Sequence, residues 1–379
     1  ADIVLPDIGS SASAELTPHM EEQIGRNIAN QIRSSHQLIS DLELNEYLQN
    51  LGYTLVANSE DAYQNFRFFL IDSKQINAFA TPGGVIAVYS GLFLTTETES
   101  ELASVLGHEI AHVTQRHIAR SFEKANQMNL PVMAGMLAGL LLGAAGGAAG
   151  DLGAAAAIGL SAAGQQAQIN YTRANEKEAD RVGIRFLSLS GNDPTGMPEF
   201  LQKLERTNRY VVRKDPEFLS THPITVDGID EATQRAEDYK KRMKRFKSQH
   251  SYRLMKTRLH VITASAGSNL IKYYAQKASK SSVKIRPEYH YGHGLALLKK
   301  QKYDQAIDVF KQLHKANSAN SSYTVALAQA YLATNTKNNI NKAQKLLKSA
   351  LADNPYNLVL TVNYAETLIK SGKTAQSIT

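Results

Sequence analysis

The spacing of apolar residues along the chain predicts a mainly α-helical protein with one small sheet. From about Glu21 to Asn50 apolar residues recur at helical spacing, and Gly52 is expected to end this stretch. Between residues 65 and 90, three short runs rich in aromatic and β-branched residues follow one another, with a Pro-Gly-Gly turn before the last run. We therefore expect a small antiparallel sheet in this part of the chain.

The helix predicted after the sheet contains the sequence His-Glu-x-x-His within an apolar pattern. Thr96 and Glu99 predict a capping box at its start. His108 and His112 are four residues apart, which leaves them ~40° apart on one helix face, where both imidazoles can bind one tetrahedral Zn²⁺. Glu109 is turned roughly 100° from His108, so it can reach a water in the metal's open position and act as general base. The alternative, two surface histidines, is disfavoured by the apolar pattern.

A second helix, predicted from about residue 171 to 191, carries carboxylates on one face. Glu176 and Asp180 share that face at four-residue spacing. A carboxylate from a second helix is the expected third protein ligand for a site with two histidines, so Glu176 is predicted to bind the metal. Asp180 would then lie near enough to hold the other nitrogen of a ligand histidine.

Two nearby residues are expected to lie outside this site. Glu178 is predicted to belong to a solvated acidic face of the second helix. His117 follows His112 by five residues, which on a continuous helix turns it to the side opposite His108. It should therefore not bind the same metal.

An uncharged stretch rich in alanine and glycine, residues 130–150, separates the two halves of the predicted site. Its length is that of a membrane span, but its glycines and Pro131 weaken that interpretation. It could span a bilayer or lie at a membrane surface. It could also belong to an apolar lid, formed by residues 130–165, that covers the site. Its position between the two halves favours the lid or the surface loop over the span.

Composition narrows the classes of protein. The 379 residues suffice for two or three domains, and the absence of cysteine excludes disulfides, thiolate zinc sites and cysteine nucleophiles. The net charge is +7, but no nucleic-acid-binding motif accompanies it, so we expect no nucleic acid partner. Nine Lys and Arg residues and no acidic residue lie between Lys240 and Arg258, typical of a solvated helix face and less often of a surface for anionic membranes or acidic partners.

Small and aromatic residues repeat beyond about residue 285. Gly294 and Ala328 are 34 residues apart, the tetratricopeptide period, and Ala365 begins a third copy after an interval of 37 residues. Such arrays of paired helices present a concave surface to partner proteins. We therefore place a helical domain at residues 249–379 after a first domain at 1–248, and we expect that the natural array continues.

Three motifs together resemble one known family. They are His108-Glu109-x-x-His112, Asn77-Ala78-Phe79-Ala80-x-Pro82-Gly83-Gly84 and Arg173-x-x-Glu176-x-x-Ala179-Asp180. They resemble the HtpX/prenyl-protease group of zinc peptidases, and the likeness to its repeat-bearing periplasmic branch runs along nearly the whole chain. The resemblance implies a zincin-type α+β peptidase domain before a tetratricopeptide solenoid. It implies one zinc ion on His108, His112 and Glu176, with Glu109 as base and with Asp180 and Arg173 as supporting residues.

The sheet before the metal helix has two interpretations. It could be a platform whose open edge takes an extended substrate by main-chain hydrogen bonds, or it could simply pack against the helix. The first interpretation makes the upstream motif the substrate-binding segment, with these candidate residues: Asn77, Ala78, Phe79, Ala80, Gly83 and Gly84.

The family places a His-Pro pair after the ligand helix, where this chain has His222-Pro223. The resemblance predicts that His222 approaches the zinc. It would act either as a fourth ligand that closes the resting enzyme or as a stabiliser of the tetrahedral intermediate. Related sequences often carry an Arg a few residues later, but this chain has Gly228 near that place, so the role of that Arg is not carried over.

Taken together, the resemblance implies a periplasmic zinc endopeptidase that degrades misfolded or stalled outer-membrane β-barrel proteins and assists their assembly. The barrel-assembly machinery would be its partner through the repeats. The start at Ala1 favours a signal peptide already removed over an artificial start. The alternative is a non-proteolytic chaperone or assembly scaffold with a closed or structural zinc site. A third option is an integral membrane protease that uses residues 130–150 as its span.

Overall fold

The computed structural model describes residues 16–35, 37–59, 65–127, 162–210, 218–219, 222–223 and 225–372. The chain separates into two compact units. One comprises Ala1–Ser40 and Leu48–Ser248, and the other comprises Asp41–Tyr47 and Gln249–Thr379. The first unit contains the sheet and the predicted site residues.

The first unit is mainly helical, as predicted. It contains α1 (Pro18–Ser34), most of α2 (Leu42–Val56), and the strands β1 (Arg67–Ile71), β2 (Ala78–Thr81) and β3 (Val85–Tyr89). The helices that follow are α3 (Ser90–Thr95), α4 (Glu99–Thr114), α5 (His117–Gln127), α6 (Ala162–Leu189), α7 (Gly196–Tyr210) and α8 (Val226–Lys240).

The three strands form a mixed sheet in the order β1-β3-β2, so the prediction of an antiparallel sheet was wrong. β1 runs parallel to β3, with Arg67 opposite Val85, whereas β2 runs antiparallel to β3, with Ala78 opposite Val88. The prediction assumed that consecutive strands pair. Instead, β1 and β2 lie at the two edges of the sheet, and β3 lies between them and pairs with both. β2 is therefore an edge strand among the described residues.

The predicted N-terminal helical stretch is divided into α1 and α2. Leu38 forms an isolated antiparallel bridge with Ile71, and the Ile39 N–H donates to the Leu70 carbonyl at 2.9 Å, so this segment pairs with β1 rather than continuing a helix. Gly52 lies inside α2 and does not end it. A Cβ atom on Gly52 would lie 2.3 Å from a ring carbon of Phe68, so the glycine allows β1 to pack closely on the helix.

The start of α4 is capped two residues later than predicted. The Thr98 side chain accepts from the Glu101 N–H at 3.1 Å, and the Glu101 carboxylate accepts from the Glu97 N–H at 2.8 Å. Thr96, predicted to pair with Glu99, instead caps the end of the short helix α3. Its hydroxyl donates to the Phe93 carbonyl of that helix at 2.7 Å.

Two glycines bring α4 and α6 into close contact. A Cβ atom on Gly183 of α6 would lie 3.1 Å from the His108 nitrogen and 3.2 Å from the Gly107 carbonyl carbon. The backbones of the two helices can approach this closely because neither residue has a side chain. Gly183 follows Asp180 by three residues and Glu176 by seven, which places all three on one face of α6. The glycine contact therefore sets the distance between the carboxylates of α6 and the histidines of α4.

We expect Gly183→Ala to lower the free energy of unfolding by about 1–3 kcal/mol, the usual cost of overpacking a close contact. We also expect weaker zinc binding, because the added methyl group pushes the two helices apart. Urea unfolding and a zinc competition assay would measure the two effects. Gly267→Ala in the second unit is the control, since a Cβ there meets none of the described atoms within 4 Å. An alanine at 183 without either effect would contradict the packing argument.

The second unit continues with α9 (His250–Thr263), α10 (Leu270–Ala278), α11 (Pro287–Lys299), α12 (Tyr303–Ala316), α13 (Ser321–Ala333), α14 (Lys337–Asp353) and α15 (Leu358–Lys370). Gly294, Ala328 and Ala365 each lie seven residues after the first residue of α11, α13 and α15. The predicted repeat therefore matches the register of the helix pairs. A Cβ atom on Gly294 would lie 2.5 Å from the ring of Phe310, so the glycine lets the first pair pack closely.

A buried arginine joins the segment Asp41–Tyr47 to the rest of the second unit. Arg258 is 7% exposed and donates to both carboxylate oxygens of Asp41 at 2.8 Å. It also pairs with Glu43 at 3.0 Å and donates to the Tyr291 hydroxyl at 3.0 Å. The buried positive charge of Arg258 is thus balanced by two carboxylates. Without such partners, burial of the guanidinium group would be strongly unfavourable.

Among the described residues, no helix is both long enough and apolar enough to cross a bilayer. Residues 130–161 of the predicted apolar lid, and with them the predicted membrane contact at 130–150, lie outside the described residues. Residues 162–165 belong to the start of α6 rather than to a lid.

Candidate metal centre

Four of the predicted site residues meet at one point. They are His108 and His112 of α4, Glu176 of α6, and His222, and their ligand atoms all lie within 4.8 Å of one another. The Nε2 atoms of His108 and His112 are 3.0 Å apart. Glu176 Oε2 lies 3.3 Å from His108 Nε2, and Glu176 Oε1 lies 3.5 Å from His112 Nε2. The structure therefore brings the two halves of the predicted site together.

His222 approaches this cluster from outside both helices. Its Nδ1 lies 3.0 Å from Glu176 Oε2 and 3.3 Å from His108 Nε2. The His222 N–H donates to the Phe218 carbonyl, and the ring centroids of the two residues are 4.5 Å apart. Phe218 is buried, and its own N–H donates to the Ile76 carbonyl just before β2. Phe218 thus positions His222, and no pattern in the sequence indicated this role.

The other ring nitrogen of His108 is held by Asp180. His108 Nδ1 lies 2.9 Å from Asp180 Oδ1. A carboxylate oxygen only accepts hydrogen bonds, so Nδ1 carries a proton and Nε2 is the ring nitrogen left to bind a metal at the cluster. Asp180 thus lies beside His108, and its supporting role stays a prediction.

Glu109 is buried beside the cluster but is not one of the four converging residues. It is 1% exposed, and its Oε1 has no hydrogen-bond partner among the described residues. His222 Nε2 lies 3.4 Å from that oxygen. The Ala80 backbone forms a hydrogen bond with the Glu109 carboxylate. Burial raises the pKa of Glu109, which moves a carboxylate toward the range useful for a general base.

The charges of the cluster favour a cation at its centre. Burial alone would lower the pKa of His108, but the carboxylates of Asp180 and Glu176 raise it well above its ordinary value. Burial, followed by the charge of His108, lowers the pKa of His112 well below its ordinary value. Burial alone would raise the pKa of Glu176, but hydrogen bonds from His108 and His222 hold it well below its ordinary value. The ionised carboxylates thus attract one positive charge to the point where the rings meet.

The donor set fits zinc. Three imidazole nitrogens and one carboxylate oxygen are ligands that Zn²⁺ takes in tetrahedral geometry, and the sequence has no cysteine to offer thiolates. The unpartnered oxygen of Glu109 lies beside these donors rather than among them. The side chains present would therefore hold a zinc ion with a carboxylate next to it.

Other predicted site residues lie at the margin of the cluster. Arg173 is exposed on the wall of the cleft above it, together with Lys177 and Gly228. It forms no hydrogen bond or ion pair with the described residues, and its supporting role stays a prediction. Asn77 is buried just before the edge strand β2, which contains Ala78, Phe79 and Ala80.

Gly83 and Gly84 serve the turn between β2 and β3. Both adopt positive φ, of 79° and 76°, which glycine tolerates best. A Cβ atom on Gly83 would lie 2.2 Å from the Glu21 carbonyl oxygen, and one on Gly84 would lie 3.1 Å from the Asn65 carbonyl oxygen. Close packing thus explains both glycines, and substrate contact by them stays a prediction.

His117 and Glu178 were expected to lie apart from the site, but both are connected to it through His112. His117 Nδ1 lies 2.9 Å from His112 Nδ1, although His117 is not one of the four converging residues. The expectation assumed one continuous helix, but α4 ends at Thr114 and Arg116 has a φ of 51°, so the chain turns before α5 begins. Glu178, expected on a solvated face, instead pairs with His117 and is only 32% exposed.

The chain matches the family model for peptidase family M48 over residues 43–236. The chain belongs to peptidase family M48. It is 36% identical over 378 residues to the beta-barrel assembly-enhancing protease of Yersinia pestis, covering 100% of this chain and 76% of that protein. It is 36% identical over 371 residues to the protein of the same name from Escherichia coli K12, covering 97% of this chain and 74% of that protein.

A more distant relative is the human mitochondrial metalloendopeptidase OMA1, which is 32% identical over 162 residues. That alignment covers 42% of this chain and 30% of the human protein. The predicted resemblance to this group of peptidases is confirmed. As an M48 peptidase, the protein is a metalloendopeptidase, and the matched residues 43–236 include every residue of the four-residue cluster.

Proposed function

We propose that the protein is a zinc-dependent endopeptidase of the periplasm that cleaves misfolded or stalled outer-membrane β-barrel proteins and assists their assembly. One observation carries the enzymatic part of this proposal. Two imidazoles of α4 and the carboxylate of Glu176 converge at hydrogen-bond distances, with the buried carboxylate of Glu109 beside them.

The residues around the cluster have distinct tasks in peptide hydrolysis. When bound, a zinc ion would polarise the scissile carbonyl and acidify water. His108, His112 and Glu176 would hold it. Glu109 accepts the proton of the attacking water and returns it to the leaving amine, a task that its position one residue after His108 permits. Asp180 keeps the proton of His108 on Nδ1, so that Nε2 remains free to bind metal.

The edge strand β2 is the proposed platform for the substrate. The Tyr89 N–H donates to the Asn77 carbonyl, and antiparallel pairing alternates, so the backbone groups of Ala78 and Ala80 face away from β3. An extended peptide can form main-chain hydrogen bonds with this edge. The backbone contact between Ala80 and Glu109 sets such a peptide beside the proposed general base.

The choice of substrate rests on the named relatives and on the repeats. Relatives that are similar over nearly the whole chain bear the name beta-barrel assembly-enhancing protease. We therefore propose outer-membrane β-barrel proteins as substrates. The helix pairs of residues 287–370 would supply the contact with the barrel-assembly machinery, since stacked helix pairs form surfaces for partner proteins.

Zinc analysis and cleavage of unfolded casein, measured on the same preparation, test the proposed activity. One zinc per chain with chelator-sensitive cleavage is expected. Protein that binds no zinc and cleaves nothing would contradict it.

The rival function is a non-proteolytic assembly scaffold. The presence of four possible metal ligands in the cluster is one observation in its favour. A site with four protein ligands is closed, whereas a catalytic zinc site needs an open position.

His222 decides between the closed and the open site. We expect His222→Ala to bind zinc several-fold more weakly and to cleave peptide several-fold faster at saturating zinc, because a position is freed. If His222 instead stabilises the intermediate, the cleavage rate falls while zinc affinity is kept. Zinc competition and initial cleavage rates distinguish the two outcomes, with the exposed His19→Ala as control. No change in either quantity would exclude both roles.

A further inference from the structure

A chain of three polar side chains, His117, Glu178 and Arg120, leads away from the side of His112 that faces away from the cluster. His112 Nδ1 lies 2.9 Å from His117 Nδ1. His117 Nε2 lies 3.2 Å from Glu178 Oε2, and Arg120 Nη1 donates to the same oxygen at 2.9 Å. His117 is 3% exposed, so its ring is shielded from water. The contacts therefore form one connected path from the cluster to the carboxylate of Glu178.

The chemistry of the end group fixes the direction of every hydrogen bond in this path. A carboxylate accepts only, so His117 Nε2 must carry the proton that Glu178 receives. A neutral imidazole with its proton on Nε2 has a lone pair on Nδ1. The contact between the two Nδ1 atoms is then a hydrogen bond in which the Nδ1–H of His112 donates to Nδ1 of His117. His112 consequently has its lone pair on Nε2, which faces His108 and Glu176.

We infer that His117, held by Glu178, is a positioning residue that fixes His112 in the one tautomer able to bind the metal. The inference rests on the proposed zinc site and adds residues to it. Each ligand histidine of α4 would then have its own carboxylate on α6. Asp180 holds His108 directly, and Glu178 holds His112 through His117.

The backbone explains how a residue five positions after His112 reaches it. On a continuous helix His117 would point away from the site, but α4 ends at Thr114 and Arg116 turns the chain with its φ of 51°. His117 is the first residue of α5, and Arg120 follows one turn later. Both reach Glu178 on α6, so the path links three helices.

Two substitutions of His117 separate positioning from packing. His117→Leu keeps apolar volume but removes the acceptor for His112, and we expect it to weaken zinc binding by about 10–100-fold. His117→Asn has an oxygen that can accept from His112 Nδ1, so it should recover most of the affinity. A role in packing alone predicts the reverse order, because the site is buried. Zinc dissociation constants from chelator competition give the ranking without any activity assay.

Glu178→Ala tests the far end of the path. We expect several-fold weaker zinc binding, since His117 loses the acceptor that sets its tautomer. Glu231→Ala is the matched control, because Glu231 is similarly exposed at 37% and pairs with Lys177 and Arg181 of α6 but has no contact with His117. Equal losses in both variants would overturn the inference.

A histidine ¹⁵N spectrum of the zinc-loaded wild-type chain gives an independent readout. The expected signals are a proton on Nδ1 of His112 and on Nε2 of His117, and a proton on Nδ1 of His117 would overturn the assignment. If the wild-type chain binds no zinc, the proposed function itself fails. If it binds zinc but His117→Leu binds equally tightly, only the positioning role fails.

Discussion

Glu109→Gln is expected to lower peptide cleavage by about 10²–10⁴-fold, the usual contribution of a positioned general base. An amide cannot accept the proton of the attacking water or return it to the leaving amine. Zinc should remain bound with nearly unchanged affinity, because Glu109 is not one of the four residues whose ligand atoms converge. The expected loss therefore falls on kcat rather than on metal content.

The control for this substitution is Glu288→Gln in the second unit. Glu288 is 4% exposed and, like Glu109, has a carboxylate oxygen without a hydrogen-bond partner among the described residues. It matches Glu109 in burial and in the change made, but it lies outside the family match at 43–236. Full cleavage by the Glu109 variant would exclude the proposed hydrolysis. Assembly activity that survives loss of cleavage would support the scaffold alternative.

Glu176→Gln is expected to remove nearly all bound zinc and, with it, nearly all cleavage. The carboxylate of Glu176 lies within 3.5 Å of ring nitrogens of all three converging histidines. An amide oxygen is neutral and binds zinc poorly, and its NH₂ group cannot accept the hydrogen bonds that the carboxylate accepts. Elemental analysis after gel filtration, followed by the casein assay, measures both losses.

Zinc should also stabilise the wild-type first unit and not the Glu176 variant. Ligand at 1,000 times its dissociation constant adds about 4 kcal/mol to the free energy of unfolding of the form that binds it. Thermal unfolding with and without zinc reveals this shift. Asp180→Asn is the graded comparison, since loss of a supporting carboxylate typically weakens metal affinity by about 10–100-fold without removing a ligand. A Glu176 variant that keeps one tightly bound zinc would refute the proposed ligand set.

The parts of the site that could be predicted are those set by local geometry. His108, Glu109 and His112 lie on one helix, and helical spacing alone orients them. Glu176 is 64 residues further along than His112, so no local rule joins the two. It was predicted because zinc needs a third ligand and because the surrounding motif resembles a known family. The close contact of Gly107 with Gly183, which brings these residues together, carried no readable signal.

Three of the wrong predictions extended a local rule past the end of one element into the next. The antiparallel sheet was wrong because β1 pairs with the third strand rather than with its neighbour in sequence. His117 was misplaced because a helix was continued through Arg116, whose positive φ is unusual for arginine. The start of α4 was predicted two residues too early, because Thr96 ends the preceding short helix and Thr98 is the N-cap of α4. The strand order, the position of His117 and the start of α4 each depend on a neighbouring element. A pattern read over a few consecutive residues does not include that element.

The sequence by itself determined the element types, the helical register of His108 and His112, and the 34-residue spacing of the repeats. These follow from periodicity, which depends on residues close together along the chain. The tertiary structure decided the strand order, the inclusion of Asp41–Tyr47 in the second unit, and the hydrogen-bond path behind His112. These depend on which surfaces meet after the chain has folded. Packing between distant segments selects them, and no local preference encodes that choice.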